Sequence, residues 1–221
     1  MSEEQWTAVD RYITDQLVPS DSVLDAALAS SAANGLPAIN VAPNQGKLLH
    51  VLARSVNARR ILEVGTLGGY STIWLARALA AGGKLITLEY EPKHADVARA
   101  NIERAGLANA VEIRLGKAIE TLPKIAAEGG EPFDFVFIDA DKPGNADYFA
   151  WALKLARVGA LIVVDNVVRN GAVLDADGDA NVQGARRLFE AMAKETRVSS
   201  TALQTVGSKG YDGFAIAVVT G

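Results

Sequence analysis

The residues best placed to do chemistry in this 221-residue chain are oxygen-bearing side chains that follow apolar runs. Asp139 closes Phe133-Asp134-Phe135-Val136-Phe137-Ile138, Lys142 follows it, and Asp165-Asn166 closes Ala160-Leu161-Ile162-Val163-Val164. If the two runs are neighbouring strands, Asp139, Asp165 and Asn166 converge at one edge of a sheet. Oxygen donors without His or Cys suit a hard cation such as Mg²⁺, Ca²⁺ or Mn²⁺. The competing reading is that such acids merely cap the helices that follow.

A second set surrounds a glycine turn. Ile61-Leu62-Glu63-Val64 runs into Gly65-Thr66-Leu67-Gly68-Gly69-Tyr70-Ser71, and a helical pattern starts at once. In an open α/β sheet the crevice at the carboxyl ends of the strands is where nucleotides bind. The spacing G-x-x-G-G differs from the dinucleotide fingerprint G-x-G-x-x-G. Glu63 just before the turn repels phosphates and suits an uncharged or cationic ligand. Glu89 ends the next apolar run, where an acid accepts hydrogen bonds from both hydroxyls of a ribose. Ribose recognition without a pyrophosphate site points to S-adenosylmethionine rather than NAD.

These groups must be held by a frame, and apolar periodicity supplies one. Strands are expected at 60–64, 84–89, 110–115, 133–139, 159–165, 199–206 and 212–219. Helices are expected near 70–81, 92–105, 117–127, 145–156 and 182–195. The runs at 133–139 and 159–165 are almost wholly apolar, as in parallel strands covered on both faces. Alternating β and α units predict right-handed crossovers and a doubly wound, Rossmann-like seven-stranded sheet. The last two strands are separated only by 207–211, too short for a crossover, so they form an antiparallel hairpin. Ahead of the sheet, apolar stripes predict helices over 6–17, over the 20s and early 30s, and over 43–56. Ser20 and Asp21 are candidate caps for the second. The expected organisation is one domain, with N-terminal helices over 1–57 and the core over 58–221.

The segment 62–71, with Phe137-Ile138-Asp139-Ala140-Asp141-Lys142 and Val164-Asp165-Asn166, resembles the cation-dependent O-methyltransferases. Within that group, of catechol and caffeoyl-CoA O-methyltransferase type, the bacterial members are most similar, and the resemblance runs from about 40 to 219. It implies a class I methyltransferase fold. It implies metal ligands at Asp139, Asp165 and Asn166, and a catalytic lysine at Lys142 acting as general base. It also implies a methyl-donor site at Val41, Glu63, Gly65, Thr66, Ser71, Glu89, Ala118 and Asp139. Ser71 is the candidate for the donor's carboxylate, assisted by a helix N-terminus. A chelating dication makes a phenolic hydroxyl acidic as it does a bound water, and the donor is reactive enough that alignment supplies much of the rest.

The resemblance thus implies methylation of a small catechol-like or caffeoyl-like aromatic diol, by a homodimer. Its N-terminal helices are expected to close over the site or simply to pack. Asp141 matches the caffeoyl-CoA-type pattern and is expected to line the site. Tyr148, Phe149 and Trp151 are expected in the core, and the Gly- and Asp-rich segment 169–181 as a flexible lid. Arg169-Asn170 stands where relatives often carry tryptophan. An NAD-type oxidoreductase and a non-catalytic S-adenosylmethionine-binding protein are the competing readings.

Composition bounds these readings. With 49% hydrophobic and 22% charged residues the chain matches ordinary globular proteins. A net charge of −4 offers no basic footprint for nucleic acid. The absence of cysteine removes disulfides, thiolate metal sites and cysteine nucleophiles together. The acidic start Met1-Ser2-Glu3-Glu4 is unlike a signal peptide, and no apolar run approaches a membrane span, so the expected location is the cytoplasm.

Overall fold

The computed structural model describes residues 2–19 and 21–221. Three helices lead: α1 (Glu3–Leu17), α2 (Ser22–Ala33) and α3 (Pro43–Ser55). The alternating region follows as β1 (Arg60–Val64), α4 (Tyr70–Ala76), β2 (Lys84–Glu89), α5 (Pro92–Arg104), β3 (Val111–Leu115), α6 (Ala118–Glu128), β4 (Phe133–Ile138), α7 (Asn145–Leu155) and β5 (Ala156–Asp165). Helix α8 (Ala180–Lys194) and the strands β6 (Val198–Gly207) and β7 (Gly210–Val219) complete it. The sheet order is β3-β2-β1-β4-β5-β7-β6, with β7 antiparallel to both its neighbours and all other pairs parallel. This is the doubly wound sheet with a terminal hairpin that the apolar pattern requires.

The central strands are apolar on both faces because both are covered. Leu62, Val64, Val136, Ile138, Ile162 and Val164 meet residues of α6, α7 and α8. The alternate positions Ile61, Phe135, Phe137, Leu161 and Val163 meet α2, α3, α4 and α5. The switch between β1 and β4 opens the crevice. β1 turns outward to β2 on one side, β4 to β5 on the other, and the two βα turns part at their carboxyl ends.

Boundaries differ from the sequence expectation in instructive places. Helix α4 stops at Ala76 rather than continuing to 81, because Ala78 N–H and Leu79 N–H turn tightly onto Leu75 and Ala76 carbonyls. Ala80 N–H then binds the Ala58 carbonyl at 2.8 Å, tying the chain to the entrance of β1. β5 starts three residues early, at Ala156, where Arg157 Nε donates to Asp134 Oδ1 and anchors the segment beside β4. The hairpin is tighter than 207–211, with Ser208-Lys209 alone between the strands. Asp21 caps α2 by accepting from Val23 and Leu24 N–H; the other candidate, Ser20, lies outside the described residues. Among the described residues no helix is long and apolar enough to cross a membrane.

Candidate active site

Two glycines decide the shape of the turn after β1. Gly65 adopts φ +102°, and a Cβ there would lie 2.1 Å from the Asp139 carbonyl oxygen, so only glycine lets the turn cross the end of β4. Gly69 takes φ +83° as it starts α4. Between them Leu67, at φ +51°, is one of the few non-glycine residues in the left-handed region, a strain that the surroundings must hold in place.

Glu89 does the holding. Its Oε2 accepts from Thr66 N–H (3.2 Å) and Leu67 N–H (2.8 Å), and its Oε1 accepts from Tyr90 and Glu91 N–H (both 2.9 Å). His94 Nδ1 stands 3.5 Å from the same oxygen. His94, which the sequence places inside a helix and does not mark as catalytic, lines the cavity. Its signal was its place five residues after the strand-end acid, on the first turn of the following helix.

Glu63 sits on the face of β1 beneath α4, with no exposed surface. Ser71 Oγ donates to its Oε1 (2.7 Å), while Thr72 and Thr87 hydroxyls donate to its Oε2. Burial pushes its pKa up to about 7, against the lowering effect of those hydroxyls, and the nearby Asp139 charge adds to the rise. A carboxyl so buried braces the turn from behind.

All these elements open on one cavity of about 880 Å³. Val41, Gly65, Thr66 and Ser71 line it together with Glu89 and Ala118. Asp139, Lys142 and Asn166 form part of the same wall. Glu63 and Asp165 are absent from the lining and lie behind it. Leu28 and Ser31 of α2 close over the turn, with Ser31 so near that a Cβ on Gly68 would fall 2.1 Å from its Oγ. Thus α2 covers the cavity, whereas α1 packs against α3 and β6.

At the other end, Ile138 and Val164 are in register on the parallel pair β4–β5, so Asp139 and Asp165 leave adjacent strand tips at one level. Lys142 Nζ donates to Asp139 Oδ1 at 2.8 Å, and the Lys142 side chain is 9% exposed. Asp165 Oδ2 accepts from Gln45 Nε2 (2.7 Å) and Oδ1 from Asn166 N–H (2.8 Å). Burial pushes the Asp165 pKa up to about 7, with the neighbouring Asp139 charge adding to the rise and Lys142 opposing it. Asp165 is buried while Asp139 beside it keeps 23% of its side chain exposed, and a buried carboxylate next to a second one favours added positive charge. Gln45, on the first turn of α3, gave no sequence signal, because its partner lies 120 positions away.

The turn carrying Lys142, a short 3-10 segment Lys142–Gly144, is pressed against α8. A Cβ on Gly184 would lie 2.1 Å from the Lys142 carbonyl oxygen, so the helix backbone itself seats the lysine. Asp141 lines the cavity, as expected, and also accepts from Gly144 N–H and from the Tyr148 hydroxyl (2.5 Å). Tyr148 therefore corrects the core expectation in part: it is 6% exposed, but its hydroxyl end reaches the cavity wall. Phe149 is core, and Trp151 packs at its margin.

The segment 169–181 is tied down at several points. Asp212 Oδ1 accepts from Val168 N–H (3.0 Å), Arg169 N–H (2.9 Å) and Gly213 N–H (2.9 Å). Asn170 N–H binds the Tyr211 carbonyl, Arg186 reaches the Val173 carbonyl, and Gln183 reaches those of Ala176 and Gly178. Arg169 is the member of this segment that lines the cavity.

No group of three or more His, Cys, Asp or Glu side chains able to hold a metal ion occurs among the described residues. The set at the strand tips is two carboxylates and an amide, all oxygen donors, and Asp165 needs a counter-charge. That donor chemistry fits a hard dication.

Comparison with known proteins agrees with this architecture. A family model described as O-methyltransferase matches residues 17–215. The catechol O-methyltransferase of Niastella koreensis is 56% identical over 220 residues, covering 99% of this chain and 100% of the relative. An O-methyltransferase from Bacillus cereus, solved in complex with SAH, superposes with a TM-score of 0.98 at 59% identity, covering 99% of this chain and 100% of that one. TomG from Streptomyces achromogenes, solved in complex with SAM, gives a TM-score of 0.97 at 51% identity with complete coverage of both chains. A glycine turn suited to a nucleoside without pyrophosphate and a sheet ending in an antiparallel hairpin thus have the same explanation: this chain belongs to the O-methyltransferase family.

Proposed function

We propose that the protein transfers the methyl group of S-adenosylmethionine to one hydroxyl of a small aromatic vicinal diol, catechol-like or caffeoyl-like, with the help of a divalent cation. The observation that carries this reading is that Lys142 on Asp139 shares one cavity with the Glu89-braced glycine turn. The complexes of the B. cereus enzyme with SAH and of TomG with SAM support the choice of donor, and the name of the N. koreensis relative supports the acceptor class. The donor would lie along Val41, Gly65, Thr66, Ser71, Glu89 and Ala118, its methyl directed to the Asp139 end. Glu63 supports that site from behind by fixing Ser71.

Asp139, Asp165 and Asn166 would hold the cation, with Mg²⁺ the first candidate and Ca²⁺ or Mn²⁺ the alternatives. When bound, the cation supplies acidity to a chelated phenolic oxygen and fixes its orientation. Gln45 holds the Asp165 carboxylate in position. Lys142, seated by the Gly184 contact, would take the phenolic proton at Nζ as general base. The phenolic oxygen lone pair forms the new O–CH₃ bond, and the electrons of the broken C–S bond pass to sulfur. Alignment of these partners can supply roughly 7–11 kcal/mol of the barrier reduction.

The N-terminal helices and the 58–221 core are proposed to act as one domain. The exposed apolar residues Val9, Tyr12 and Leu17 of α1 are consistent with pairing as a homodimer. Transfer of label from radioactive S-adenosylmethionine to caffeate, with and without EDTA, tests the reading. Loss of transfer on chelation, its return with Mg²⁺, and loss in Lys142→Met are expected. Transfer indifferent to chelation removes the cation, and full activity in Lys142→Met removes the base.

A further inference from the structure

Arg169 lines the cavity three residues after Asn166, on the same loop. Its backbone sits at φ +57°, in the left-handed region. Of the five non-glycine residues in that region among the described residues, three are asparagine, which tolerates it. Arginine has no such preference, so its place there costs conformational energy that Asn or Gly would avoid. The cost is met locally, by Asp212 Oδ1 accepting from both Val168 and Arg169 N–H and by the Asn170 N–H bond to the Tyr211 carbonyl. This bracing fixes the backbone from which the side chain reaches the cavity.

The guanidinium has neither a salt bridge nor a hydrogen bond among the described residues. Several other arginines are engaged, Arg77 with Asp21, Arg114 with Glu112 and Glu128, Arg157 with Asp134, and Arg197 with Glu195, but Arg169 is the one among the described residues that lines this cavity. The cavity acids nearest in sequence are already occupied, Asp139 by Lys142 and Asp141 by Tyr148 and Gly144 N–H. An unpaired guanidinium on a braced backbone at the cavity wall is a ready fork for a planar anion.

We propose that Arg169 is a specificity-determining residue that binds a carboxylate on the acceptor, so that the preferred substrate is an aromatic vicinal diol bearing an acid group. The inference rests on the reading of the site given under Proposed function. The diol end of such a molecule lies toward Asp139, Asn166 and Lys142, and its carboxylate lies at Arg169. A neutral diol leaves the guanidinium without a partner.

The test compares 3,4-dihydroxybenzoate with its methyl ester as acceptors, using S-adenosylmethionine and Mg²⁺, in the wild type, Arg169→Gln and Arg169→Lys. The readout is the ratio of kcat/KM for acid over ester. A ratio of about tenfold or more is expected in the wild type, equivalent to about 1.4 kcal/mol. It should collapse toward unity in Arg169→Gln and be partly kept in Arg169→Lys, which retains charge without the fork. The discrimination should reside in KM rather than kcat, because the anion is held equally in ground and transition states. A wild-type ratio at or below one, or an unchanged ratio in Arg169→Gln, overturns the proposal while leaving diol methylation intact. Failure of both acid and ester to accept methyl overturns the reading of the site itself, and the proposal with it.

Discussion

The seating of Lys142 by Gly184 is open to a one-atom perturbation. In Gly184→Ala the new Cβ would begin 2.1 Å from the Lys142 carbonyl oxygen, 2.4 Å from its carbon and 2.7 Å from Pro143 N. All three are backbone atoms, so no side-chain rotation relieves the contact, and α8 or the Lys142 turn must move by about 1 Å to restore ordinary packing. Two terms oppose each other in stability. Replacing glycine inside a helix gains about 1 kcal/mol in propensity, and overpacking costs about 1–3 kcal/mol. A net loss of up to about 2 kcal/mol is expected by chemical denaturation. Activity should suffer more, because a displacement of about 1 Å at a reacting group can cost about 100-fold in rate. The turn at 65–69 is braced by Glu89 and, among the described residues, not by any hydrogen bond to α8, so SAH affinity measured by calorimetry should stay within about threefold of wild type, under 0.7 kcal/mol. A variant that gains the full propensity term and keeps wild-type kcat would refute the close approach and the positioning role together.

Three further outcomes follow from other parts of the site. Glu63, raised to about 7 by burial, is bound to a proton in the folded protein at pH values where the unfolded chain, near 4.5, has lost it. Its favourable contribution is therefore complete below about 4.5 and is lost as pH rises through about 7, by about 3 kcal/mol in all. Glu63→Gln should abolish that loss, so its Tm relative to wild type should climb between pH 5 and 8; a constant offset would show that Glu63 ionises freely. Asp212→Ala strips the acceptor from three backbone N–H groups and should cost about 1–3 kcal/mol of stability. It should also weaken the acid-over-ester preference, and an unaltered preference would show that the loop keeps its shape without that carboxylate. Gln45→Leu should lower apparent Mg²⁺ affinity in activity titrations by about tenfold, as loss of a ligand's hydrogen-bond partner does elsewhere, whereas unchanged Mg²⁺ dependence would detach Gln45 from the cation site.

Much of this architecture was legible in the linear chain. The almost wholly apolar runs at 133–139 and 159–165 read as covered central strands, and both end at an acid, while the strand at 60–64 ends at the glycine turn. Seven strands and the terminal hairpin follow from local pattern, since a two-residue turn leaves β6 and β7 no other pairing. The glycine spacing at 65–69 likewise points by itself to the kind of ligand, because backbone conformation and close approach are set by residue type.

What the chain alone did not reveal are contacts between residues far apart in sequence. Gln45 on Asp165, Gly184 against Lys142, Ser31 over Gly68 and Asp212 beneath Arg169 each join elements whose closeness exists only after the sheet has formed. Periodicity reports which face of an element is apolar, not which neighbour meets it. The same limit explains Glu63 and Tyr148. A carboxyl on a strand and a tyrosine on a helix read as site and core, respectively, but Ser71 and Thr72 of α4 hold Glu63 behind the wall, and the bond to Asp141 brings the Tyr148 hydroxyl onto it. Local residue chemistry thus determined which groups were available and which strands carried them. The packing of α2, α3 and α8 on that sheet decided which of them face the cavity and what holds them there, because burial and hydrogen-bond partners are properties of the assembled layers.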